Sequence, residues 1–275
     1  MKAKKVFEMI DPYASEESNM DLDAGYDKVL KEKAIKYLAE KLFIDIDNIE
    51  MKSSKEATIS TSIDFNSFNG IEIPLDKLHI NGKFTMIYSG KEDEITILPK
   101  KYLYSSGGIN LNSSVNLSLP DEVSAKYFLC SRTTIIKFPK IINAKDYINL
   151  QNTRGQGIYI LDSEITTKYL KLSRSSISEL KGSNINISED IIAANCYQLE
   201  ILPDNLTVGN SLYLTNSHNF KNLPDNLTVG QNLYINGTMI KKLPESLQVG
   251  GLIFINKHAI NYLEVPEHLR TKIIT

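Results

Sequence analysis

Tryptophan is absent from this 275-residue chain, and cysteine occurs only twice, at Cys130 and Cys196. Two cysteines cannot form the disulfide framework that holds small secreted domains together. Neither sign of charge is in excess, with 31 Lys and Arg against 33 Asp and Glu. A general nucleic-acid binder carries a basic surplus, so direct nucleic-acid binding is not expected. No apolar run approaches the ~18 residues of a membrane span. The basic start, Met1 to Lys5, is not followed by the apolar run of ~7–15 residues that a secretory signal needs. The expected location is therefore the cytoplasm, away from membranes.

Catalytic signatures are equally scarce. There is no nucleophile elbow and no P-loop. Gly107-Gly108 and Gly155-Gln156-Gly157 precede no helical pattern, so they read as turn glycines rather than phosphate loops. The four histidines (His79, His218, His258 and His268) show no metal-ligand spacing. No cofactor and no metal are expected, and the chain is not read as an enzyme.

What is present is periodicity. Residues 1–70 read as an α/β cap. Its helix, about residues 23–43, places Tyr26, Val29, Leu30, Ala34, Tyr37, Leu38 and Leu42 on one face. Alternation then begins at Ala57, through Ile59, Thr61, Ile63 and Phe65. An acidic run (Glu8, Asp11, Glu16, Glu17, Asp21, Asp23 and Asp27) precedes and enters the helix. It reads as a solvated face, with contact to a basic partner as the sharper alternative.

Residues 71–275 read as a solenoid. Leu202-Pro203-Asp204-Asn205-Leu206-Thr207-Val208-Gly209 recurs from Leu223 and again, with substitutions, from Leu243. Pro203, Pro224 and Pro244 are 21 and 20 residues apart. After each Val-Gly comes an alternating triplet: Leu212-Tyr213-Leu214, Leu233-Tyr234-Ile235, Ile253-Phe254-Ile255. Weaker triplets start at Ile191, Leu170, Ile148, Phe128 and Ile109, and the register before residue 105 stays open. Each triplet is a short strand whose outer members point inward and whose middle member points outward. One coil cannot bury its apolar face alone, so about eight or nine coils of 19–22 residues stack into one core. Asp204, Asp225 and Glu245 repeat with the period and read as turn chemistry.

The segment Leu233-x-Ile235-x-x-Thr238-x-Ile240-x-x-Leu243-Pro244 resembles the short leucine-rich repeats of bacterial proteins. Its variant Leu-Pro-x-x-Leu-x-Val-Gly-x-x-Leu-x-Ile is similar to repeats of bacterial and bacteriophage proteins. The opening Lys5-Val6-Phe7-Glu8-Met9-Ile10-Asp11-Pro12 also resembles the start of some phage proteins. The usual ladder Asn of the short repeat is replaced by His218, Thr238 and His258. The resemblance implies a leucine-rich-repeat-like solenoid with a concave recognition surface, and it names no ligand.

The outward positions carry the functional expectation. Ile192, Tyr213, Tyr234 and Phe254 form one column. Tyr127, Tyr147 and Tyr169 form a second, with Lys171 beside them. Tyrosine is enriched at binding hot spots because it is large, stiff and polar-tipped. The expected function is binding of a protein without covalent chemistry. With the phage resemblance, that becomes inhibition of a bacterial host protein, such as one of an antiphage defence system, in the host cytoplasm. The alternative is a phage structural or adhesion component that binds a virion protein or a glycan, and a polysaccharide-processing β-solenoid ranks below both. The C-terminal stretch, Val265 to Thr275, shows no capping signature, which leaves the last coil open to pairing in a homodimer.

Overall fold

The computed structural model describes residues 24–67, 71–88, 95–154 and 159–275. The acidic residues Glu8 to Asp23 and the glycines of 155–157 lie outside this set. The chain is mostly β, a solenoid of about ten turns preceded by one helix.

Helix α1 (Ala24–Leu42) forms because Leu30, Ala34, Leu38 and Leu42 fall on one line at 3.6 residues per turn. Leu30, Leu38 and Leu42 are buried. Val29, expected on this face, is 46% exposed, because sequence neighbours on a helix stand about 100° apart. The Tyr26 side chain is outside the described residues. The helix packs against β1 (Ile49–Ser53), and the Tyr37 hydroxyl donates to the Glu72 carbonyl at 3.0 Å. β1 pairs antiparallel with β2 (Glu56–Ile59), and so covers an edge that would otherwise be open.

From β2 onward the coils stack in parallel. A first ladder runs from Glu56–Ile59 through Lys77–Ile80, Tyr102–Ser105 and the start of Glu122–Leu129 to Gln248–Val249. A second runs from Ile63–Ser67 through Lys83–Tyr88 and Gly108–Asn110 to Ile253–Phe254 and Ile273–Ile274. Glu122–Leu129 and Ile141–Asn149 serve both ladders, bending between them at a register shift beside Ala125 and Tyr127. Shorter pairings, such as Tyr159–Asp162 with Ile177–Lys181, close a third side. The parallel stacking thus begins at Glu56, inside the segment read as cap. The two earliest coils escape the repeat pattern for two reasons. No Val-Gly marks their corner, and Phe84 pairs with Ile109, a step of 25 residues.

The triplets behave as their alternation predicts. Leu212 and Leu214, Leu233 and Ile235, and Ile253 and Ile255 are buried, while Tyr213, Tyr234 and Phe254 are half-buried. One core runs the length of the stack. Gly209, Gly230 and Gly250 mark the corner between the ladders. Their role is close approach: a Cβ on Gly230 would lie 2.0 Å from the Gly209 carbonyl oxygen.

A second column organises the other end of each triplet. Ser113, Arg132, Asn152, Arg174, Asn195 and Asn216 hold φ between 55 and 59°, and Gly237 holds 71°. Each turns its successor inward: Ser114, Thr133, Thr153, Ser175, Cys196 and Ser217 are buried. Apart from Ser175, these side chains satisfy backbone groups at the turns. The Ser217 hydroxyl donates to the Ala193 carbonyl at 2.8 Å and accepts from the Cys196 amide at 3.1 Å. Cys196 Sγ donates to the Leu172 carbonyl at 3.0 Å. The ladder expected at His218 is therefore corrected to Ser217, with Thr238 continuing it. His218 is exposed, and its Nδ1 donates to the Gly237 carbonyl at 2.6 Å. His258 keeps the ladder position but is exposed, at the start of the 3₁₀ turn Ala259–Tyr262.

The C-terminus is capped after all. A 3₁₀ segment, Glu267–Lys272, lies across the end of the first ladder. Lys272 Nζ donates to the Val249 carbonyl and, at 3.2 Å, to the Gly250 carbonyl, while His268 Nε2 donates to the Leu247 carbonyl at 3.3 Å. The second ladder ends on Ile273–Ile274.

Candidate binding surface on the second ladder

The eight candidate residues share one face. The register links Asn149, Lys171, Ile192, Tyr213, Tyr234, Phe254 and Ile274 in a column of outward side chains. Two residues earlier in each strand, and so on the same face, Tyr127, Tyr147 and Tyr169 pair in a second column. That column then continues as Asp190, Ser211, Asn232 and Leu252 and ceases to be aromatic. The aromatic stripe thus crosses diagonally from one column to the next, with Tyr169, Lys171 and Ile192 at the crossing.

The coil spacing sets the ring geometry. Tyr213 and Tyr234 stack at 4.5 Å between centroids and 5° between planes, and Tyr234 and Phe254 at 4.5 Å and 6°. Tyr127 and Tyr147 stack at 5.6 Å and 15°. Lys171 Nζ lies 5.2 Å from the Tyr147 ring centroid, within cation–π reach. Tyr127 also covers Gly108, where a Cβ would meet its ring. Burial, and then the Asp190 carboxylate, push the Tyr213 hydroxyl above its usual range, so it stays protonated and able to donate.

Beside the stripe, the polar continuation is internally satisfied. Asp190 Oδ1 accepts from Asn210 Nδ2 at 2.7 Å and from the Ser211 amide at 2.9 Å. Ser211 Oγ accepts from the Asn232 amide at 3.2 Å, and Asn232 Oδ1 from the Leu252 amide at 2.9 Å. This staircase fixes the strand starts that carry Tyr213, Tyr234 and Phe254.

Two aromatic groups were not foreseen. His79 lies 5.3 Å from Tyr102 and 6.0 Å from Tyr104 on the first ladder, and exposed Tyr197 stacks on His218 at 5.8 Å. The alternation Tyr102-Leu103-Tyr104 was the available signal for the first.

Both cysteines are buried free thiols, and burial pushes both above the usual thiol range, Cys130 well above it. Asp204 Oδ1 accepts from the Asp225 amide at 3.0 Å, the turn chemistry its repetition implied. Among the described residues, no three His, Cys, Asp or Glu side chains gather where they could hold a metal ion. No helix among them is long and apolar enough to cross a membrane. Comparison with protein-family models, curated proteins and solved structures finds no match to this chain.

Proposed function

We propose that the second-ladder face binds a protein, and that the chain acts by this contact rather than by covalent chemistry. The observation that carries the reading is the stacked run Tyr213, Tyr234 and Phe254, joined through Ile192 and Lys171 to Tyr169, Tyr147 and Tyr127. A contiguous aromatic and apolar surface of this kind marks interaction sites. Stacking holds the rings in place before a partner arrives, so little side-chain freedom is lost on binding. The partner that fits the leucine-rich-repeat and phage resemblance is a bacterial host protein, for instance of an antiphage defence system. It would be met in the bacterial cytoplasm and inhibited by occlusion of its surface. This role rests on analogy with the repeat sequences.

Affinity purification of the tagged chain from bacterial cytoplasm, followed by quantitative mass spectrometry, tests it. The expected result is one protein in stoichiometric amount, lost when Tyr213 and Tyr234 are both replaced by Ala. Recovery of no stoichiometric protein overturns the reading.

A further inference from the structure

A different face of the molecule carries a second site. On the first ladder, the outward column reads Tyr104, Ser124, Asn143, Thr166 and Asn186, one residue per coil. From Ser124 onward these side chains line a trough of ≈ 490 Å³, with Lys145 and Lys168 on its rim. The trough lies where the strands Glu122–Leu129 and Ile141–Asn149 bend from one ladder into the other. Its floor includes Ala125 and Ala144, whose small side chains leave the space open.

The hydrogen-bonding state of this column sets it apart from the other amide columns. Asn195 bonds Asn216, and Asn205 bonds Asn226, so those amides are used up in coil-to-coil contacts. In the trough, Ser124 bonds the Tyr102 hydroxyl. Asn143, Thr166 and Asn186 make no side-chain bond to another described residue and present donors and acceptors to whatever fills the space. Lys145 pairs with no carboxylate among the described residues. Lys168 contacts Asp146 at 3.4 Å, a solvent-screened pair that yields readily to a ligand. Tyr104, with His79 packed against it, stands one coil before Ser124 and ends the column just beyond the trough.

We infer that the trough binds an oligosaccharide carrying an acidic sugar, laid along the solenoid axis. Coils repeat every ~4.8 Å, close to the length of one pyranose unit, so successive sugars meet successive polar side chains. An extended peptide advances only ~3.3–3.4 Å per residue and falls out of phase with this column. Each sugar hydroxyl both donates and accepts, which matches the mixed amide and hydroxyl lining. Lys145 supplies the positive charge for the sugar carboxylate, and Tyr104 an apolar surface for a sugar ring. The site shares no residue with the aromatic stripe on the second ladder, so it stands or falls separately from protein binding.

Isothermal titration calorimetry of the full chain against trigalacturonate, trimannuronate and sialyllactose tests the inference, with neutral maltotriose and a polyglutamate peptide as controls. At least one acidic sugar is expected to bind, at least about tenfold more tightly than maltotriose or the peptide. Lys145→Ala is expected to weaken it about tenfold, and Asn143→Ala with Asn186→Ala to remove it. Tyr213→Ala with Tyr234→Ala leaves it unchanged. Melting curves confirm that each variant is folded, and the exposed Lys145 change provides a variant that cannot perturb the core. Absence of binding by all three acidic sugars at millimolar concentration overturns the inference. So does equal binding of polyglutamate that survives the double asparagine change.

Discussion

At the residue scale, two columns decide where the coil can turn. At one corner, successive backbones approach so closely that only hydrogen fits on Gly230. Gly230→Ala is expected to lower stability by about 1–3 kcal/mol, the usual range for forced overpacking, read as a lower denaturant midpoint with an unchanged m-value. At the other end of the triplet, Ser217 bonds two backbone groups of the coil before it. Ser217→Ala leaves a buried amide and a buried carbonyl short of a partner and is expected to cost about 1–3 kcal/mol. His218→Ala, at an exposed site next door, is expected to change stability by less than about 0.5 kcal/mol. The contrast between these two neighbours checks the ladder assignment. The hydroxyl column was present in the sequence but hard to see. Ser114, Thr133, Thr153, Ser175, Cys196 and Ser217 differ in type, and they align only once every strand is in register. The triplets were legible because Leu-x-Leu and its variants repeat one physical property, inward apolarity, at a constant phase.

At the element scale, both ends of the solenoid are closed by non-repeating structure. α1 and β1 cover the first coil, and Glu267–Lys272 covers the last strand of the first ladder. Open edges pair with other chains. Truncation after Val265 removes Lys272, His268 and the Ile273–Ile274 strand, and is expected to produce concentration-dependent self-association. Light scattering after size exclusion reads this directly, and a truncated chain that stays monomeric at high concentration would show that the segment is not a cap. The cysteines report on the same elements from inside. Both thiols are buried and shifted away from the reactive thiolate. They are expected to resist alkylation in the folded chain at pH 8 and to react promptly in denaturant. Fast labelling of the native chain would contradict the packed core. The helix was legible from its apolar spacing, whereas the C-terminal cap was not. It works through two polar side chains, Lys272 and His268, reaching carbonyls of a strand some twenty residues earlier, and such contacts leave no local pattern.

At the scale of the whole molecule, stacking converts a sequence repeat into surfaces. The second-ladder stripe was legible, because every coil contributes its outward strand residues to the same two columns. The first-ladder trough was not. It depends on a bend between ladders and on small residues at Ala125 and Ala144, neither of which the repeat pattern encodes. The central claim is that the stripe is a protein-binding surface. Its most direct test is the affinity of the captured partner for the wild-type chain and for the Tyr213→Ala, Tyr234→Ala variant, with folding of the variant checked by thermal melting. Stacked cross-strand pairs contribute about 0.2–1 kcal/mol each, so the variant is expected to remain folded. A hot-spot pair contributes at least about 2 kcal/mol, so the dissociation constant is expected to rise at least about 30-fold. An unchanged dissociation constant in a folded variant would contradict the account and leave the rings as strand-stacking residues only.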